Sequence, residues 1–300
     1  MEYLDADFAY FLGMVIARGT ISESGGVRQI TISFPYSNLH IQGLDQPIDQ
    51  ETGIKLGLNT IRERLIDLLN ANDVQIVESE GNIDLIMRFI RNALPWRLLL
   101  AVTEGQNSFR SFQIPSVFMS PDTPQDIKRE FIKGFADVAG NIRPANRYVD
   151  GRNRVRLDVL NHSQNWQVPV HLCLLLQDGI DVPVQNITWG HPNMGRAFRE
   201  HQINIFAIPF LEIGFSFQHK QTVLEQLARA DEGGRANYEG CPGRRAVRKQ
   251  KELDADEHDN RLPNELKGKH FDSYWQLCKA LGCPREPHAR QLPLPLESEE

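Results

Sequence analysis

Three hundred residues are enough for two domains of ordinary size, each with its own hydrophobic core. With 41% hydrophobic and 24% charged residues the composition is that of a folded globular chain, and no apolar run approaches the ~18 residues that span a membrane. A net charge of -6 argues against a protein that coats nucleic acid indiscriminately, but leaves room for a cationic face on an otherwise acidic molecule.

Asp5 is placed to cap a helix over about Ala6 to Ala17. Phe8, Phe11, Leu12, Val15 and Ile16 give that helix wide apolar coverage, which predicts burial. Gly13 and Ala17 lie four apart on one face, where small side chains let a second backbone approach, and Gly19 suits the helix end. Thr20 to Ser24, the pair Gly25-Gly26 and Val27 to Phe34 then read as a hairpin with a glycine turn. In its second strand Val27, Gln29, Thr31 and Ser33 share a face open to solvent or a ligand. Arg28, Ile30, Ile32 and Phe34 share the inward face, with Arg28 near the strand end.

Ser37 to Ile54, rich in Gln, Asp and Gly, reads as a loop, and Leu58 to Leu69 as a helix with Ile61, Leu65, Leu68 and Leu69 at helical spacing. Val74 to Val77 and Ile83 to Ile90 read as strands around a turn at Glu80-Gly-Asn82, and Pro95 to Val102 as an apolar helix. Thr123-Pro-Gln-Asp126 has the signature of a helix start, with Thr123 as cap and Pro124 in the first turn; the helix continues to Gly140. A second hairpin is predicted from Asn141 to Val149, a turn at Asp150-Gly151, and Arg152 to Leu160. Arg143 and Arg147 share one strand face, and Arg152, Arg154 and Arg156 share a face of the partner. Set against Asp150 and Asp158, this is the most cationic surface in the sequence. Trp166 to Gln177 reads as a helix, Gln185 to Trp189 and Gln202 to Ala207 as strands around a polar loop, and Thr222 to Ala228 as a final helix.

Each half therefore runs helix, hairpin, helix, two strands, helix. The segments Phe11-Leu-Gly-Met-Val-Ile-Ala-Arg-Gly19 and Ile132-Lys-Gly-Phe-Ala-Asp-Val-Ala-Gly140 open the two halves at domain-sized spacing, which suggests a duplication. Both segments resemble the motif of the LAGLIDADG homing-endonuclease family. The stretches Ile114 to Pro121 with Asp126 to Phe135, and Gly214 to Leu224, are similar to the lead into that family's second motif helix and to its domain-closing segment. The resemblance covers about residues 1–230. It implies an α+β fold of two pseudo-symmetric αββαββα domains, 1–120 and 121–230, with saddle-shaped antiparallel sheets that lie on duplex DNA. Residues 231–300 form a C-terminal extension, partly disordered by its proline, glycine and charge content.

In the family, the acidic residue before each motif's final glycine binds a divalent metal such as Mg²⁺, which activates water. This sequence has Arg18 and Ala139 there, and the earlier acidic position holds Ile16 in one copy and Asp137 in the other. A basic residue that the family places before the last helix is here Gln218. Alanine is no ligand and arginine carries a fixed positive charge. The resemblance therefore implies a sequence-specific duplex-DNA-binding protein without cleavage at the usual site, a monomer with no cofactor. A regulatory role is expected, as in bacterial sporulation regulators of this descent that also lack the acids. The alternative is an active endonuclease, homing or restriction-like, with relocated catalytic groups and Mg²⁺. The DNA-facing candidates are Ser22, Ser24, Arg28, Gln29, Thr31 and Ser33 in the first half, and Arg143, Arg147, Arg152, Arg154 and Arg156 in the second. Arg18 is itself a candidate phosphate contact.

Outside the motifs the ordinary readings prevail. Cys241, Cys278 and Cys283, with His258, His270 or His288, suggest a zinc site in the tail, but the paired Cys-x₂-Cys spacing of zinc modules is missing, so unpaired thiols are expected. The basic run Arg244 to Lys251 is followed by the acidic Glu252 to Asp259 and reads as a neutralised, solvated segment. His162, His191 and His201 are expected as lone surface histidines. The acidic opening Met1 to Asp7 does not read as a targeting signal, and a cytoplasmic, nucleoid-associated location is expected.

Overall fold

Helix α1 (Ala6–Arg18) packs along helix α6 (Gln125–Ala139), and the rest of the molecule is hung on this pair. In a computed structural model of the chain, the described residues are 4–44, 48–69, 74–89, 93–144, 153–160, 167–184, 186–188 and 200–232. Asp5 caps α1, its Oδ1 accepting the Phe8 amide at 2.8 Å, and every residue from Phe8 to Arg18 is buried. The two helices approach through glycine. A methyl group on Gly13 would collide with the carbonyl oxygen of Phe131, and one on Gly134 with that of Tyr10. The contacts are reciprocal, because Tyr10 and Phe131 each stand one helical turn before their glycine.

Both helices run straight into strands. Gly19 and Gly140 have extended backbone angles, so they are not the left-handed helix caps that glycine often supplies. Their role is steric: a side chain at either would strike the carbonyl oxygen four residues back, at Val15 or Ala136. Thr123 does not cap α6 as its position suggests. Its hydroxyl donates to the Val117 carbonyl at 2.6 Å, fastening the chain that leads into the helix.

The first sheet contains β1 (Gly19–Ser24), β2 (Val27–Pro35), β3 (Val74–Ser79) and β4 (Asn82–Phe89) in the order β1-β2-β4-β3. The second contains β5 (Gly140–Arg143), β6 (Arg154–Leu160), β7 (Asn186–Thr188) and β8 (Glu200–Phe206) in the order β5-β6-β8-β7. Every pairing is antiparallel. The registers also agree. Gly19 faces Ile32, which faces Leu85, which faces Ile76; Gly140 faces Leu157, which faces Ile203, which faces Ile187. The β1–β2 turn is Gly25-Gly26 with φ of 57° and 81°, the conformation glycine permits in a tight hairpin.

One face of each sheet is the core. Ile30, Ile32, Phe34, Ile83, Leu85 and Met87 are buried in the first, and Ile142, Val155, Leu157, Ile203 and Ile205 in the second. Burial of each such side chain contributes about 1.5–3 kcal/mol, so the alternation alone holds each sheet to its helices. The remaining helices are α2 (Tyr36–Leu39), α3 (Gln50–Leu69), α4 (Leu94–Val102), α5 (Ser116–Met119), α7 (Val168–Leu174, continued by a π-helical turn over Leu175–Gly179), α8 (Ala207–Phe210) and α9 (Gln218–Glu232). No helix among the described residues is long and apolar enough to cross a membrane.

Three helices differ from expectation. The loop assigned to Ser37 to Ile54 contains α2 and the first turn of α3, which starts at Gln50 rather than Leu58, with the Asp49 carboxylate accepting the Thr52 amide at 3.1 Å. The glycines that disguise this helix, Gly53 and Gly57, lie against His219 and Phe217, where any larger side chain would clash. The final helix α9 likewise starts earlier than Thr222, at Gln218. The expected C-terminal extension, with its cysteines, its histidines and the basic run, lies outside the described residues beyond Glu232, as do His162, His191, Arg147 and Arg152.

Candidate nucleic-acid interface

The two motif helices deliver Arg18 and Ala139 to adjoining strand starts, and a cross-linked polar cluster surrounds them. Arg18 is only 5% exposed, and its guanidinium donates to Glu200 Oε1 at 2.5 Å and lies over the Phe109 ring. Glu200 begins β8, so the ion pair joins α1 to the second sheet. Asn38 on α2 makes a second link, its amide donating to the Ala139 carbonyl at the end of α6 at 3.2 Å and to Asp158 Oδ2 on β6 at 3.0 Å. Asp158 is engaged a second time by Arg156, whose Nε lies 2.7 Å from Oδ1 and whose Nη2 donates to Oδ2 at 2.8 Å. The Asn141 amide returns the link by donating to the Ser37 carbonyl at 2.6 Å. Burial pushes the Glu200 carboxyl pKa up, the nearby Asp158 charge adds to this, and Arg18 opposes it.

These residues do not fit a catalytic divalent metal. Arg18 offers only donors, the Ala139 carbonyl already accepts Asn38, and the nearest carboxylates, Glu200 and Asp158, are each matched to a guanidinium. Among the described residues no group of three His, Cys, Asp or Glu side chains is placed to hold a metal ion. Arg18 is also not the open phosphate contact suggested by its position, because its charge is spent inside the protein on Glu200.

Asp137 points away from this cluster, as two residues of helix turn dictate. It is fully buried, accepts the Tyr10 hydroxyl at 2.7 Å and the Ser216 amide at 3.0 Å, and burial raises its pKa. Lys220 is also fully buried, donating to the carbonyls of Asp137 and Gly140 at 3.4 and 3.2 Å, with its ammonium over Phe215 and Phe217. Gln218, expected in the segment before the last helix, is the first residue of α9, where it is exposed and donates to Thr222.

Burial lowers the Lys220 pKa from its usual 10.5 to about 8, although Asp137 and Asp158 pull the other way. Between those values the unfolded chain holds the proton and the folded chain does not, so stability rises with pH across that window. Two groups oppose the rise: the buried Cys173 thiol, raised above its usual 9.0, does so from about that pH, and the Tyr10 hydroxyl, held well above its usual 10.0, only at the alkaline end, and both are common to the parent and a Lys220 variant. Urea unfolding at pH 8 and pH 9.5 is expected to show this gain in the parent and not in Lys220→Met; an equal gain in both would remove Lys220 as its source.

The outer faces of the sheets carry the other candidates. In the first sheet Thr20, Ser22 and Ser24 stand opposite Thr31, Gln29 and Val27, and Gln29, Thr31 and Ser33 stand opposite Arg88, Ile86 and Asp84 on β4. Ser22 and Ser24 are exposed, while Gln29, Thr31 and Ser33 are half-buried. Arg28 does not join them. It sits on the helix side, paired with Glu23 at 2.9 Å and lying over the Trp96 ring. In the second sheet Arg143 stands opposite Arg154, and Asn141 opposite Arg156. The third neighbours in these rows are Phe206 and Asn204 on β8. Burial lowers the Arg143 pKa, and the Arg156 and Arg154 charges lower it further.

Sequence reasoning missed Glu200 and Asn38, which are far in the chain from Arg18 and Asp158 and carry no local signal. Arg88 was readable, since alternation along β4 puts it on the face of Asp84 and Ile86. His201, expected at the surface, is fully buried on the inner face of β8, and burial drives its imidazole pKa down to about 3. Cys173 is buried too, and burial pushes its thiol pKa up.

The structure is similar to those of LAGLIDADG homing endonucleases. I-DmoI in complex with DNA and calcium shares 16% identity, with 74% of this chain and 98% of that chain covered and a TM-score of 0.43. The homing endonuclease I-GzeII in complex with its DNA target shares 9% identity over 86% of this chain and 99% of that one, with a TM-score of 0.40. The meganuclease I-SmaMI, bound to uncleaveable DNA, shares 9% identity over 83% and 97%, with a TM-score of 0.39. No family model and no curated protein matches the sequence.

Proposed function

We propose that this chain binds duplex DNA sequence-specifically, as a monomer, with the outer faces of its two sheets forming a pseudo-symmetric saddle over the major groove. It does not cut at the position where the motif helices end, and it acts as a regulator rather than a nuclease. The observation that carries the reading is the matched pair of sheets. Same strand order and same register put two polar outer faces in equivalent places, and the α1–α6 seam fixes one against the other. An antiparallel sheet with helices on one side only leaves its other face for a ligand. Rows of Ser, Thr, Gln, Asn and Arg suit base edges and phosphates. Side-chain chemistry supports the reading without cleavage: Arg18 and Ala139 at the two helix ends offer no carboxylate, and the cluster around them is internally neutralised.

Purified protein is expected to retain a subset of random duplexes, with affinity falling steeply as salt rises, and to leave plasmid DNA uncut in Mg²⁺ or Mn²⁺. Affinity indifferent to salt would point instead to a protein that kept the fold for a different partner. One observation favours the endonuclease reading: the Asp158 charge lies close enough to raise the Glu200 pKa beside the helix ends. A discrete metal-dependent cut that disappears in Glu200→Gln would install that reading.

A further inference from the structure

The outer faces of the two sheets occupy equivalent positions, and each carries a carboxylate in the same row. In the first sheet Asp84 on β4 stands between Ser33 on β2 and Val77 on β3. The equivalent row of the second sheet is Asp158, Gln202 and Thr188. Asp158 is held by the Arg156 guanidinium and by the Asn38 amide. Asp84 is placed otherwise. Its cross-strand neighbours are a hydroxyl and an aliphatic side chain, it is half-buried, and its Oδ1 is buried without a hydrogen-bond partner among the described residues. A carboxylate oxygen taken out of water without a donor costs its desolvation and returns nothing inside the fold. A carboxylate also repels phosphate, so on a face that meets DNA it weakens every sequence-independent contact. What it can gain there is a donor on a base edge.

We propose that Asp84 is a specificity-determining residue that reads a cytosine in the half of the DNA target lying under the first sheet. In the major groove cytosine presents its N4 amino group, a donor, and a carboxylate accepts from it. Guanine presents two acceptors, O6 and N7, and thymine presents the O4 acceptor, so both oppose a carboxylate. Adenine sets its N6 donor beside the N7 acceptor, so it offers a carboxylate one favourable group and one unfavourable group. Val77, directly across from Asp84 and 41% exposed, adds an apolar surface for the C–H edge of a pyrimidine. This inference rests on the DNA-binding reading above and adds to it one base of the target and the residue that selects it.

The experiment is selection of bound sites from random duplexes with the full chain at fixed salt, followed by affinity measurements on single-base variants of the selected site. The parent, Asp84→Ala and Asp84→Asn are compared. The parent should require a C·G pair at one position that responds to substitution of Asp84. Asp84→Ala should lose about tenfold to a hundredfold discrimination at that position while keeping the preferences elsewhere. Asp84→Asn should move the preference there to adenine, whose N6 and N7 an amide matches together. Urea unfolding of both variants should give the midpoint of the parent or a higher one, because Oδ1 has no protein donor to lose. Lowered midpoints with unchanged site selection would make Asp84 a structural group and overturn the proposal. A rise in affinity equal for every sequence would make it a merely repulsive charge and overturn the proposal too. A parent that retains no duplex at all would overturn the DNA-binding reading itself.

Discussion

Gly13→Ala is expected to destabilise the protein by about 3 kcal/mol or more, measured by urea or thermal unfolding, with Gly134→Ala close behind. The added methyl meets a backbone carbonyl oxygen, Phe131 in one case and Tyr10 in the other. A crowded side chain can rotate away, but a carbonyl inside a helix cannot. The helices must therefore separate, and both are buried over most of their length, so the separation opens gaps beside Phe11, Val15, Phe131 and Phe135. The double variant should lose less than the sum of the singles, because one displacement relieves both collisions. Gly25→Ala supplies the contrast. Its φ of 57° disfavours alanine, but nothing lies near the added methyl, so a loss of about 1 kcal/mol is expected. A loss below about 1 kcal/mol for Gly13→Ala would mean that the backbones do not meet as described. The seam also sets the spacing of the two sheets, so duplex affinity should fall with stability in both seam variants.

What the sequence disclosed about this fold follows from the range over which each signal acts. Helix α1, its Asp5 cap and the β1–β2 hairpin are legible because the apolar period and the glycine turn sit in consecutive residues. The first turns of α3 were hidden because Gly53 and Gly57 weaken the helical pattern. Their reason for being glycine is the presence of His219 and Phe217, which only the folded chain brings near. His201 looked like a surface residue beside a polar loop, yet strand alternation alone sends it inward. The candidate site divides the same way. That positions 18 and 139 hold arginine and alanine rather than carboxylates is visible in the one-letter sequence, and so is the arginine-rich strand. The Glu200 and Asn38 partners of the cluster are not, since ion pairs and hydrogen bonds between distant segments leave no periodic trace. Arg28 shows the limit of composition, because strand parity separates it from the polar row it resembles.

Arg18→Glu is the second large effect to expect, about 2–4 kcal/mol of lost stability at pH 7. The substitution deletes the cation paired with Glu200 and puts a third carboxylate beside Glu200 and Asp158, in a site where the arginine side chain was 6% exposed. Carboxylates crowded together have folded pKa values raised above their unfolded ones, so the folded state holds the extra protons. The penalty is therefore complete above those pKa values and is relieved as pH falls through them, and the gap between parent and variant should narrow from pH 7 to pH 5. Adding Glu200→Arg to the variant restores an opposite-charge pair across the same contact and should recover more than half of the loss, a coupling that a double-mutant cycle measures directly. If the reciprocal swap recovers nothing, Arg18 and Glu200 do not act as a pair. If it recovers the stability, the Arg18 cation is what ties α1 to the second sheet.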